Sequence, residues 1–218
     1  MTATDGTRPA LPMFPLGTVL LPGTLLPLHV FEPRYRALVV DCLAGDRCFG
    51  VVLISRGSEV GGGDERVGVG TLAQIEAARP FDDGRWGLLA RGTCRIRVER
   101  WLEDAPYPAA LVRELPDDEP GPALAPALDA AAAAVSRVRA LASELGRPLD
   151  GAAEALDGEE SSVGVEPGPG ARLWRLCAAA PLGPFDRQRL LEAHGSGIRA
   201  ALLTELATEL ADDLAALL

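Results

Sequence analysis

Only two histidines occur in this chain, and each stands beside groups that could do chemistry. His29 lies in Leu26-Pro-Leu-His-Val-Phe-Glu-Pro-Arg-Tyr35, close to Glu32, Arg34 and Tyr35. An imidazole beside a carboxylate is common material for general acid–base work, and imidazole with thiolates is common material for zinc. His194 lies in His194-Gly-Ser196, the outline of half a Ser–His nucleophile. Each needs partners within reach. His29 sits among apolar strand residues, with no second histidine or carboxylate pair nearby in sequence. His194-Gly-Ser196 has no GxSxG elbow and no evident oxyanion donor.

Other candidate chemistry is thin. Cys42, Cys48, Cys94 and Cys177 form no CxxC pair, and two histidines do not complete a zinc set with them. They read as core residues in a reducing compartment. Gly68-Val-Gly-Thr-Leu-Ala73 fits G-x-G-x-x-A, yet its glycines fall in a strand rather than between a strand and a helix. Gly61 to Gly63 are flanked by Glu59, Asp64 and Glu65, which would repel a phosphate. Asp82-Asp83, Asp117-Asp118-Glu119 and Glu159-Glu160 read as solvated charge at turns and linkers, too few for a hard cation. All 21 basic residues are arginine. A phosphate-loop lysine, a Ser–Lys dyad and a Schiff-base lysine are therefore impossible within these residues. No catalytic residue, metal or cofactor is expected.

The elements that would position these groups change character midway. Residues 13–30 suggest two short strands around a turn at Leu21-Pro-Gly-Thr24. Tyr35, Leu38, Val39 and Cys42 then share one helical face, with Pro33 at its first position and Gly45 at its end. Residues 48–54 are a continuous apolar strand, and Gly57 to Arg66 a loop. Val67 to Ile75 and residues 85–101 alternate as strands, with Arg95, Arg97 and Glu99 facing out and a bulge or bend at Gly92. Tyr107 to Arg113 supplies the last strand. Short strands joined by turns argue for a closed or sandwiched β-domain.

Residues 117–122 read as a linker, and the rest as helix. Leu124, Leu128, Ala131, Val135, Val138, Ala142 and Leu145 make one stripe, ended by Gly146. Residues 147–170 are acidic, glycine-rich and poor in apolar anchors, hence expected to be mobile. Asp186 is expected to cap a helix, with Phe185 and Leu190 as its hydrophobic staple. Ile198, Leu202, Leu206, Leu210, Leu214 and Leu217 trace one face of a closing helix. The organisation expected is α+β: a β-domain over 11–116, then an acidic helical bundle over 123–218.

Net charge is −10. Residues 1–116 hold 13 Arg against 14 acids, and residues 117–218 hold 8 against 17. An acidic chain gains nothing from counterion release, so nucleic acid is not an expected partner. No apolar run spans a bilayer and no secretory signal opens the chain, so a cytoplasmic protein with no membrane partner is expected. What survives is surface. Phe31, Phe81, Trp86, Trp101 and Tyr107 could line a site for extended polypeptide, helped by an exposed strand edge, although most of the five are expected to be core.

The motif order sharpens this. "MFPLGTVLLPGTLLPLHVFEPRY", then "RALVVDCL", "FGVVLI", "VGVGTLAQI", "RGTCRIRVERW" and "YPAALV" resemble the amino-terminal substrate-binding domain of the Lon protease over residues 11–115. "LCAAAPLGPFDRQRLLEA" and the leucine-rich last helix resemble its helical portion, while the alanine-rich helix and the 147–170 insert depart from it. The resemblance implies a six-stranded β pseudo-barrel with one helix, followed by a helical bundle. His29, Glu32, Pro33, Arg34 and Tyr35 then match a structural strand-to-helix signature. It also implies binding of unfolded or damaged polypeptides. The reading expects neither the ATPase nor the Ser–Lys peptidase module of the full protease in these residues. The reading is a non-enzymatic adaptor or holdase in protein quality control, with a separate protease or chaperone as a further partner. Two alternatives stand beside it: a regulatory scaffold docking through its acidic half, and a small serine hydrolase using His194 and Ser196, or His29.

Overall fold

The computed structural model describes residues 7–57, 65–119, 121–147 and 168–218. Residues 58–64 of the expected glycine-rich loop, and 148–167 of the segment expected to be mobile, lie outside the described residues. The chain divides into two compact units, Met1–Pro116 and Asp117–Leu218.

The first unit contains β1 (Thr7–Leu16), β2 (Leu25–Val30), α1 (Pro33–Ala44), β3 (Cys48–Arg56), β4 (Glu65–Pro80), β5 (Trp86–Trp101) and β6 (Ala109–Leu115). Strand order is β2-β5-β4-β3-β1-β6, and β6 pairs back onto β5. Five strands therefore close a ring, and β2 hangs on the outer edge of β5. β1 and β3 run parallel, Met13 opposite Gly50; the other neighbours are antiparallel. The mixed α+β class is as expected.

Local chemistry explains the joints. Both the amide and the hydroxyl of Thr24 donate to the Leu21 carbonyl, and Gly23 takes φ +84°, which L side chains rarely adopt. Pro33 opens α1, and the Gly45 amide closes it by donating to the Asp41 and Cys42 carbonyls. The buried face of α1 is Tyr35, Leu38, Val39 and Cys42, the stripe expected from the period. At Gly92 the register slips: Leu72 faces Cys94 but Ala73 faces Gly92. A side chain at Gly92 would press on the Leu21 carbonyl, so the bulge sits where the 21–24 turn crosses the sheet.

Strand alternation divides the core. Met13, Val52, Leu72, Ile96, Ala110 and Val112 form one cluster, with members from all five ring strands. Phe14, Phe49, Val51, Ala73, Ile75 and Ala90 turn the other way and pack with the α1 stripe. Arg95 corrects the outward assignment on β5: it is only 5% exposed and donates to the Pro116 carbonyl at 3.3 Å. Ring closure covers the face that simple alternation would leave wet. The last strand also starts at Ala109, two residues later than expected.

The second unit contains α2 (Leu124–Glu144), α3 (Pro169–Ala179), α4 (Pro184–Glu192) and α5 (Ser196–Ala215). The α2 stripe is buried from Leu124 to Ala142, while Leu145, its expected last member, caps the helix and is half-buried. Two details differ. α4 begins three residues early, at Pro184 with Gly183 rather than Asp186 in the cap position; Asp186 lies inside the first turn paired with Arg189, and Phe185 is 64% exposed. No cap and no staple forms there. On α5 the buried face is Ser196, Arg199, Ala200, Leu203, Leu206, Ala207, Ala211 and Leu214, leaving Ile198 and Leu217 exposed. Leu206 and Leu214 of the expected stripe are buried, but the face is rotated to take in Leu203, Ala200, Ala207 and Ala211, while Leu202 and Leu210 are half-buried.

The acids read as linker charge are engaged. The Trp174 indole donates to Asp117 at 2.7 Å, and Asp117 also pairs with Arg199 at 3.2 Å. Arg199 lies over the Trp174 ring, 3.9 Å from its centroid, and donates to the Leu190 and Ala193 carbonyls. Asp118 accepts from the Ser196 amide at 2.7 Å and the Ser196 hydroxyl at 3.2 Å. The amide contact chiefly holds its carboxyl below the usual range, against the opposing pull of burial.

Candidate polypeptide-binding surface

Most of the signature "FEPRY" is spent on structure. Glu32 precedes α1 and pairs with Arg34 at 3.1 Å; Arg34 lies over the Tyr35 ring at 4.6 Å. Tyr35 in turn stacks on Phe14, with centroids 4.1 Å apart. That stack ties α1 to β1.

β2 has one strand partner where each ring strand has at least two. Leu26, Leu28 and Val30 turn inward; Leu25, Pro27, His29 and Phe31 turn out and are exposed. Both faces of this edge strand are thus largely apolar. Phe31 is 56% exposed and Phe81, in the β4–β5 turn, 38%. The His29 ring lies 6.2 Å from that of Phe81. Beside them a shallow cavity of about 220 Å³ is lined by Phe14, Leu16, Pro27, Val30, Phe31 and Tyr35 among others. It is smaller than the roughly 300–1,000 Å³ usual for small-molecule sites, and better matched to an inserted side chain.

The free edge is interrupted. The Gly92 amide donates to the Thr24 carbonyl at 2.9 Å, and the 25–30 register continues from that bonded pair without slippage. Antiparallel pairs alternate, so Leu26, Leu28 and Val30 bond to β5 while Leu25, Pro27 and His29 turn their backbone groups to the open side. At its centre Pro27 has no N–H to give. A guest strand cannot build an unbroken ladder there, which also guards against edge-to-edge association. Pro27→Val is expected to leave the circular dichroism spectrum unchanged and to introduce concentration-dependent self-association, read by analytical ultracentrifugation.

The five candidate aromatics do not form one group. Phe31, Phe81 and Trp86 lie at one end of β2, where Val30 faces Trp86, with Trp86 half-buried on the core. Trp101 packs on the ring cluster under Arg66, 4.6 Å from its centroid. Tyr107 is half-buried, and its hydroxyl donates to Asp41 at 2.6 Å. Burial chiefly, then the Asp41 bond, pushes that phenol up. Leu25 and Pro27 were missed; their signal was alternation that leaves apolar residues on both faces of β2.

The nucleophile candidates are placed elsewhere. Ser196 is buried and hydrogen-bonded to Asp118, while His194 is exposed, with no bond joining the two among the described residues. Burial pushes the Cys42 and Cys177 thiols up to about 12, which leaves them unreactive packing groups. Among the described residues there is no cluster of three or more side chains suited to a metal, and no helix long and apolar enough to cross a membrane.

Residues 10–209 match the family model of the ATP-dependent protease La (LON) substrate-binding domain. The chain belongs to this family. The crystal structure of a Lon N-terminal domain protein from Xanthomonas campestris is 30% identical, with a TM-score of 0.61 over 91% of this chain and 98% of that one. The N-terminal domain of the Mycobacterium avium complex Lon protease, 16% identical, shares the fold at the same TM-score, over 92% of this chain and 99% of that one. Curated relatives include Lon protease of Flavobacterium johnsoniae, 29% identical over 51% of this chain and 14% of its own length. Lon protease 2 of Myxococcus xanthus is 33% identical over 49% of this chain and 13% of its own length. The chain thus matches only about a seventh of these proteases. Among the described residues of the first unit, the exposed large apolar side chains are Leu25, Phe31 and Phe81, on or beside β2, and Val40 on α1.

Proposed function

We propose that this Lon substrate-binding domain captures unfolded or damaged polypeptide, serving as an adaptor or holdase, with the first contact at the end of β2. The observation that carries the reading is the exposed row Leu25, Pro27, His29 and Phe31 beside Phe81 and the shallow cavity. An aromatic or aliphatic client side chain inserts into the cavity, while Phe31 and Phe81 flank it. Because Pro27 breaks the free edge, side-chain burial supplies most of the affinity rather than strand addition. Ordering a disordered client costs several kcal/mol of the gross interaction, so binding is modest and reversible.

The acidic half is a weaker candidate for docking. Asp117, Asp129, Asp186 and Asp212 each pair with an arginine of the same unit. The test is fluorescence anisotropy with a reduced, alkylated client and its native folded form. Capture of the unfolded form alone, little altered by salt, is expected. Equal affinity for both forms, or none for either, overturns the proposal.

A further inference from the structure

We infer that this surface selects client segments in which an apolar or aromatic residue is flanked by acidic ones, with Arg36 and Arg79 reading the acids. The inference rests on the β2 end being the client-binding surface, and adds charge selection to it.

Arginines and acids lie along β2 and the β4–β5 turn, but most cancel. Glu32 pairs with Arg34, Asp83 with Arg85, and Glu76 with Arg91. Neither Arg36 nor Arg79 has a carboxylate partner among the described residues. Arg79 lies 5.8 Å from the Phe81 ring centroid. Arg36 reaches the same turn from α1, its guanidinium against Gly84, whose amide donates to the Phe81 carbonyl. One unpaired acid, Asp82, remains in the turn, leaving two uncompensated cations against one anion.

Position gives this imbalance its use. The cations border the aromatic ring that a client side chain must touch, from two different elements. An acid one or two residues from the inserted side chain can meet Arg79 or Arg36 as the apolar residue is buried. Such rim contacts set partner choice more than raw affinity. A segment flanked by basic residues meets like charge at the same moment.

The test uses the full chain and matched synthetic peptides with one Phe–Leu core flanked by Asp, Ser or Arg. At low salt the Asp-flanked peptide is expected to bind about tenfold tighter than the Ser-flanked one, and the Arg-flanked one weakest. In Arg36→Gln/Arg79→Gln, and in high salt, that advantage disappears while Ser-flanked binding persists. Arg36→Glu/Arg79→Glu inverts the order. Equal binding of all three by the unaltered chain, abolished by Phe31→Ser/Phe81→Ser, would overturn the charge selection and leave client binding standing. No binding of any peptide would overturn both.

Discussion

Arg199→Ala is expected to destabilise the second unit by about 2–4 kcal/mol, chiefly through the void and the carbonyls stripped of their donor, since the Asp117 side chain is itself 34% exposed. Arg199 is the largest fully buried side chain among the described residues, at 1% exposure. Its guanidinium meets the Asp117 carboxylate, two carbonyls at the end of α4 and the face of Trp174. Alanine leaves the two carbonyls without this donor, the Asp117 charge without its cation, and a void under the indole. Asp117→Asn makes a useful contrast. It preserves an acceptor for the Trp174 indole and removes only the charge, so a smaller loss of about 1–3 kcal/mol is expected. Native-state hydrogen exchange at α3 and α5 amides reads both values, because those helices carry Trp174 and Arg199.

Phe31→Ser/Phe81→Ser is expected to weaken capture of an unfolded client by at least about thirtyfold, equivalent to roughly 2 kcal/mol, the threshold for an interface hot spot. Both rings are exposed in the free protein, so unfolding free energy should move by no more than about 0.5 kcal/mol for each. Loss of binding without loss of stability separates a contact role from a structural one. Phe185→Ser supplies the control: Phe185 is more exposed than either ring but lies on α4 of the other unit, and its removal should leave client affinity unchanged.

Local patterns in the sequence carried much of this fold. The α1 stripe, its Pro33 start and its Gly45 end were legible because each is fixed by neighbours within a turn or two. The bulge at Gly92 was legible because a glycine inside a strand pattern has few other uses. Arg95 was not, since its burial follows from ring closure and a bond to Pro116, 21 residues away. Nor was the Asp117–Trp174–Arg199 group, whose members come from three distant stretches and carry no periodic signal. On α5 the leucine stripe was legible only in part: Leu206 and Leu214 are buried, but the packed face turns toward Leu203 and three alanines that the leucine spacing did not mark.

The candidate surface was legible in part. Phe31 and Phe81 stood out as aromatics beyond core needs, and both are exposed. Trp86, Trp101 and Tyr107 had the same signal but are partly buried, Tyr107 with its hydroxyl committed to Asp41. Composition cannot tell a half-buried ring from an exposed one. Arg36 and Arg79 escaped notice because an arginine is unremarkable until its neighbours are known to be paired among themselves.

Amide chemical-shift mapping of the full chain, titrated with a permanently unfolded client, puts the central claim at greatest risk. Shifts concentrated in Leu25–Phe31, excluding Pro27, and in the β4–β5 turn from Phe81 to Trp86 are the predicted result. Saturable shifts confined to the helices of the second unit, or none at any client concentration, would contradict it.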